Sequence, residues 1–266
     1  MKTGVYMAKR KDNSIYYRSS FTYKNKHISI GSFDTEDEAH QCYLEALNLA
    51  SSSLSINEYT LTDKHFLSFD KWVCIINFRD NNIYFKNPIY LMSKYFIYYY
   101  DINTDYKFDV DDLFFYSTHK IMKRGNHLFV ADYGMQINIL SRYGIKNFAV
   151  CGKDYIFINN DHTDFRYKNI KIINRYNGVS VEYKKNIPMY IAKILINGDY
   201  IIGRYKTENE AAVAYNKAGK MLVDAGIINS YRPNYIEGLS PIQYASIHSG
   251  VKISKKIREL INNSLI

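Results

Sequence analysis

The residues best equipped for chemistry lie in one short stretch, FINNDHTDFRYKNIKIIN, from Phe157 to Asn174. Asp161, His162 and Asp164 offer carboxylate and imidazole groups of the kind that hold a divalent cation, and an imidazole can take the proton from an attacking water. Such a set would support metal-assisted hydrolysis. A lone Asp-His-x-Asp cluster is more often a solvated turn, and His119 and His127 elsewhere in the same segment lack ligand spacing. Cys42, Cys74 and Cys151 form no CxxC pair. Neither a zinc ribbon nor a disulfide framework is therefore expected, and an odd thiol suits a reducing cytoplasm.

The elements that would position this stretch are organised by a repeat. Gly4-Val5 and Gly178-Val179 each open a module. Ile30 to Phe33 and Ile202 to Tyr205 each read Ile-Gly-x-aromatic, and Thr-Glu-x-Glu-Ala follows at Thr35 and at Thr207. A tyrosine comes five residues after the second glutamate in both, at Tyr43 and Tyr215. Each module reads as three short strands and a helix. In the second, Asn197-Gly198 between YIAKILI and YIIGRY predicts a tight hairpin. Thr35 with Glu38, and Thr207 with Glu210, have capping-box spacing at a helix start. Ala39, Cys42, Tyr43, Ala46 and Ala50 then share one helical face, as do Ala211, Ala214, Tyr215, Ala218 and Leu222.

Charge separates along the first module. Residues 1–30 hold Lys2, Lys9, Arg10, Lys11, Arg18, Lys24 and Lys26 against one acid, Asp12, whereas the helical part holds Asp34, Glu36, Asp37, Glu38 and Glu45 with no Lys or Arg through Ala50. Acids early in a helix follow from its dipole; a basic sheet has no such local cause. The whole chain carries net charge +9 over 266 residues, which favours a polyanionic partner. Aromatic residues reach 16%, with 27 tyrosines, an excess that a coding bias toward Asn, Ile, Lys and Tyr would produce. No membrane span is expected, because the most apolar run, IYLMSKYFIYYY, is short and carries Lys94. The start, MKTGVYMAKRKDNS, has no apolar signal core.

Both modules resemble the Apetala-two/ethylene-response-factor (ERF) DNA-binding domain, which also occurs in bacterial and phage proteins beside HNH nuclease domains. The likeness rests on the Gly-Val start, the aromatic-x-x-x-aliphatic second strand, the Ile-Gly-x-aromatic third strand and the Thr-Glu-x-Glu-Ala helix. It implies that the sheet enters the major groove. Carried over, the exposed positions of the first module are Tyr6, Ala8 and Arg10, then Arg18, Ser20 and Thr22, then His27 and Ser29, with Lys9 and Lys11 beside them. In the second module the corresponding residues are Lys184, Lys185, Lys193 and Arg204, in company with Glu182, Ile191 and Leu195, so that face is less basic and more apolar.

The stretch from Phe157 resembles the HNH motif that precedes such modules. Asp164-Phe165-Arg166 stands where Asp-Asn-Arg would, and Asn169-Ile170 where Asn-Leu would. That alignment places Phe157 at the general-base histidine and Ile156 at the metal-ligand aspartate. Phenylalanine accepts no proton and isoleucine binds no cation, so no catalytic residue, metal or cofactor is expected. Asp164, Arg166 and Asn169 are expected to remain as hydrogen-bonding scaffold.

The expected architecture is α+β: two three-stranded antiparallel sheets, each packed on one helix, with a central ββα HNH-like domain. The boundaries read as a first module at 1–52, a Ser-rich linker at 53–65, the degenerate HNH-like domain at 66–174, the second module at 175–236 and C-terminal helices at 237–266. Within the centre, FDVDDLFFYSTHKIMKRG from Phe108 reads as a helix closed by Gly125, HLFVA as a strand and DYG as a turn. Near the end, Ser240 and Pro241 read as a helix start, followed by a basic helix with Lys252, Lys255, Lys256 and Arg258. The function implied is selective double-stranded DNA binding, as a regulator of transcription carried by a phage or mobile element. An HNH-type endonuclease with an altered metal site, a homodimer, and capture of a host protein are the competing readings.

Overall fold

A computed structural model describes residues 1–60 and 64–264. Leu61, Thr62 and Asp63 of the expected linker, and the last two residues of the C-terminal segment, lie outside the described residues. The fold is α+β, with several small antiparallel sheets and helices between them. It divides into two compact units, Met1–Ile139 with Asp161–Asn169, and Leu140–Asn160 with Ile170–Ile266.

The first unit opens with β1 (Val5–Lys9), β2 (Ile15–Tyr23) and β3 (Lys26–Phe33), an antiparallel meander, followed by α1 (Glu36–Ser51). Thr35 caps α1 by accepting from the Glu38 amide. Ala39, Cys42, Ala46, Leu49 and Ala50 are buried along the helix, and Phe21, Ile28 and Ile30 meet that face from the sheet. The helix then packs against α2 (Phe69–Asn81), which buries Trp72 through Phe78 without a break. The expected linker is tied into this layer. Ile56 is buried, Tyr59 stacks on His65, and the Glu45 carboxylate accepts from the Phe66 and Leu67 amides, each at 2.8 Å.

Beyond α2 come β4 (Ile89–Leu91), β5 (Tyr95–Asp101) and β6 (Thr104–Asp109), with Lys94 in the turn that splits the apolar run into two strands. The helix expected from Phe108 is only α3 (Leu113–Thr118). Its basic half is instead β7 (Ile121–Arg124), which pairs with β8 (His127–Asp132), itself paired with β9 (Met135–Asn138). Gly125 therefore turns a hairpin at φ +58° rather than closing a helix. Many of the aromatics form a core of their own, in which Phe108 lies between Phe96, Tyr116 and Phe165 at centroid distances of 5.5, 4.3 and 5.5 Å.

In the second unit β10 (Tyr155–Phe157) pairs with β11 (Ile170–Ile172). The chain then passes straight to β12 (Val179–Lys184), β13 (Ile187–Leu195), β14 (Asp199–Tyr205) and α4 (Glu208–Asp224). No helix follows β11 before β12, so the ββα arrangement expected of an HNH-like centre is not completed there. The capping box of Thr207 and Glu210 forms, and Asn197-Gly198 turns the β13–β14 hairpin. The C-terminal helices α5 (Pro241–Gly250, capped by Ser240) and α6 (Lys255–Ser264) follow, and Val251, Ile253 and Ile257 join the core of this module.

The two modules repeat one another down to their irregularities. Gly4 (φ +77°) lies against the Tyr43 ring and Gly178 (φ +67°) against the Tyr215 ring. The pairing of the second strand with the third shifts register at Ser19/Ser20 in one and at Ala192/Lys193 in the other, where Ile30 and Ile202 of the third strand are the extra residues. At each shift an amide turns onto the opening glycine: Ser20 N–H to Gly4 O at 3.0 Å, and Lys193 N–H to Gly178 O at 2.7 Å. A bulge of this kind re-aims the strands, and both copies use it to bind the start of β1 or β12.

Candidate nucleic-acid interface

Alternation along the strands decides which side chains of the first module reach solvent away from α1. The register sets Tyr6, Arg18 and Ser32 in one cross-strand row, Ala8 beside Tyr16, and Thr22 beside His27. Tyr6, Arg18, Thr22, His27, Ser29 and Ser32 are exposed. Two expected positions fall elsewhere. Ser20 is buried at 7% exposure, drawn in by the bulge, and Lys9 pairs with Ile15 on the opposite parity of the sheet. Arg10 and Lys11 are exposed where β1 turns into β2.

The centre of this face is a cluster that sequence reasoning missed. The Arg18 guanidinium donates from Nε and Nη2 to the Tyr16 hydroxyl at 3.0 and 2.7 Å. Both Arg10 and Arg18 lie 5.5 Å from the centroid of the Tyr16 ring. Two guanidinium groups are thus held against one aromatic plane, with donors left over for an acceptor from outside. Only the alternation of β2 could have singled out Tyr16, which is half-buried among several similar tyrosines.

The remaining cations gather at the two ends of the sheet, Lys9 and Lys11 at one and Lys24 and Lys26 at the other. Nine residues of β2 separate them, about 30 Å of extended chain. Lys2 is paired with Asp37 and Arg10 with Asp34, and Lys24 donates to the Arg79 carbonyl and to Asn82. Lys9, Lys11 and Lys26 are exposed and have no ion pair among the described residues.

The second module does not present an equivalent face. Ile191 occupies the place of Arg18, opposite Ser180 and Arg204, and is 1% exposed. Lys184, Lys185 and Arg204 are exposed, the first two at the β12–β13 turn where Lys185 and Asn186 both take positive φ. Lys193 is half-buried.

Asp161, Asp164, Arg166 and Asn169, the polar residues of the Phe157 stretch, are engaged in hydrogen bonds. Asp164 is buried and receives Arg166 through Nε at 2.7 Å and Nη2 at 2.6 Å, while the Asn169 amide donates to the Asp164 carbonyl at 2.8 Å. Arg166 also lies 4.8 Å from the Tyr95 ring centroid. Asp161 accepts from the Thr163 amide and hydroxyl, and its other oxygen accepts from Lys107 at 2.9 Å. Burial raises the Asp161 pKa, but these bonds outweigh it and hold the carboxyl at about 2. Phe157 is buried in β10 beside Tyr155, and His162 is exposed. Among the described residues, no three His, Cys, Asp or Glu side chains come together as a set able to hold a metal ion. None of the described helices is long and apolar enough to cross a membrane. Compared with known proteins, the chain matches no family model, no curated protein and no solved structure.

Proposed function

We propose that the protein binds double-stranded DNA through the sheet of its first module, with the outer face of β1, β2 and β3 toward the major groove. The observation that carries this reading is the Arg10–Tyr16–Arg18 cluster on a face that also shows Tyr6, Thr22, His27, Ser29 and Ser32, with lysines at both ends of the sheet. Guanidinium groups suit guanine edges and phosphates, and lysines at the ends suit the phosphates that border a groove. Apart from Asp12 in the β1–β2 turn and Asp34, which pairs with Arg10, the acids of this module stand on α1, behind the sheet. Selective binding of this kind fits a regulator of transcription, and the resemblance to Apetala-two/ERF modules points the same way.

The Phe157 stretch supports a role in scaffolding rather than cleavage. Its polar residues are committed to Lys107, Thr163 and the Asp164 carbonyl, and the expected base and ligand positions hold Phe157 and Ile156.

Salt dependence tests the reading. Three phosphate contacts, one for each of Lys11, Arg18 and Lys26, correspond to a slope of about −2.7 in log affinity against log salt, or about 40-fold between roughly 50 and 200 mM. Fluorescence anisotropy with a mixed-sequence duplex should show that fall, and Arg18→Ala should weaken binding and flatten the slope by about one unit. A flat salt dependence would overturn the proposal. Supercoiled plasmid with Mg²⁺ or Mn²⁺ should stay intact; nicking that disappears in His162→Ala would restore the nuclease reading.

A further inference from the structure

The second unit contains a cleft of about 460 Å³ that the sheet of the first module has no part in. One wall is the start of β12 with Lys193 and Leu195 of β13; the other is the loop from Lys146 to Asp154, with Arg232 at the rim. Lys146, Lys153, Lys193 and Arg232 line it against two carboxylates, Asp154 and Asp199. One pair is already spent: Lys146 and Asp154 lie 2.8 Å apart and nearly buried, and Lys146 also donates to the Tyr176 carbonyl. Asp154 is kept ionised, because the bonds from Lys146 and the Val150 amide outweigh its burial. Lys153, Lys193 and Arg232 form no ion pair among the described residues, although the Lys153 charge also favours the ionised Asp154.

Phe148 is the feature that makes this more than a basic hollow. Its backbone is at φ +61°, a conformation that costs a bulky L-residue energy, yet its side chain is 88% exposed and recovers little by packing. Arg232 lies 5.6 Å from its ring centroid, which leaves the rest of the ring open at the cleft. An aromatic plane beside lysines is the arrangement that takes a base by stacking and its phosphate by charge. Double-stranded DNA keeps its bases stacked inside and cannot offer one to Phe148.

We infer that this cleft binds a nucleotide with an unpaired base, stacked on Phe148, with its phosphate met by Lys153 and Lys193. The inference does not rest on the duplex-binding reading, since it uses another unit and other residues. The shared chemistry could come from a free nucleotide or from one nucleotide of a single strand.

The test uses the full chain and three probes: an oligothymidylate of about 12 nucleotides, an abasic strand of the same length, and thymidine 5′-monophosphate. Phe148→Ala should weaken the oligothymidylate about tenfold and leave the abasic strand unchanged, while Phe148→Trp should retain binding. Lys153→Gln should weaken both strands. Monophosphate binding with the same dependence on Phe148 identifies a free nucleotide as ligand; binding of the strand alone identifies single-stranded nucleic acid. An abasic strand that binds the native protein as tightly as oligothymidylate, or no effect of Phe148→Ala, overturns the inference. Arg18→Ala should impair duplex binding and spare the oligothymidylate, so either reading can fail without the other.

Discussion

Replacing the opening glycine of each module by alanine should destabilise both modules, but unequally. Gly4 and Gly178 sit at φ +77° and +67°, where an L-residue costs about 1 kcal/mol. The added methyl then meets different neighbours. At Gly4 it would fall 2.1 Å from the half-buried Tyr43 ring, and it would meet side-chain atoms only. At Gly178 it would fall 2.3 Å from both the Lys193 carbonyl and the Tyr215 ring. That carbonyl is backbone of β13, paired with β14 at Lys193 and Ile201, and cannot move without disturbing the sheet. Overpacking of this kind costs about 1 to 3 kcal/mol. The totals come to about 2 kcal/mol for Gly4→Ala and about 4 kcal/mol for Gly178→Ala. Gly125→Ala provides the control, since φ is +58° and no atom lies within 4 Å, so it should show the backbone cost alone, about 1 kcal/mol. Urea unfolding followed by circular dichroism would rank the three. Gly4→Ala as costly as Gly178→Ala, or all three alike, would refute the assignment of the difference to the Lys193 carbonyl.

Two further outcomes follow from the ionisable groups. Asp161, held at about 2 against roughly 3.9 in an unfolded chain, contributes stability above about pH 4 that is lost as pH falls toward 2. The stability gap between the native protein and Asp161→Asn should therefore narrow between about pH 4 and pH 2, and a gap constant across that window would contradict the Lys107 and Thr163 contacts. Burial pushes the thiols of Cys42 and Cys74 up to about 12, whereas Cys151 is exposed, so a disulfide reagent at neutral pH should titrate one thiol in the folded protein and three in denaturant. Three reactive thiols under native conditions would show that α1 and α2 are not packed as described.

What could be read from the sequence was local or periodic. The repeat, the caps at Thr35, Thr207 and Ser240, the Asn197-Gly198 hairpin and the alanine faces of α1 and α4 each depend on residues within a few positions of one another. Helix α2 escaped notice because it is buried on almost every side, and a helix surrounded by protein has no 3.6-residue period. The segment from Phe108 misled because acids followed by basics look like a helix, while the pairing of β7 with β8 took half of it into a sheet. The linker looked solvated, yet Ile56 is buried and Glu45, twenty residues earlier, holds His65 and the two amides that follow it.

The candidate sites divide in the same way. The amino-acid sequence alone determined that the first module is basic on its strands and acidic on its helix, and that Phe157 and Ile156 carry no group able to accept a proton or bind a cation. Only the tertiary structure decided that Ser20 is buried, that Ile191 is closed off where its counterpart Arg18 is open, and that Phe148 stands exposed beside Arg232, more than eighty residues further along the chain. Burial and juxtaposition are set by which distant segments meet, and short-range spacing carries no record of that meeting.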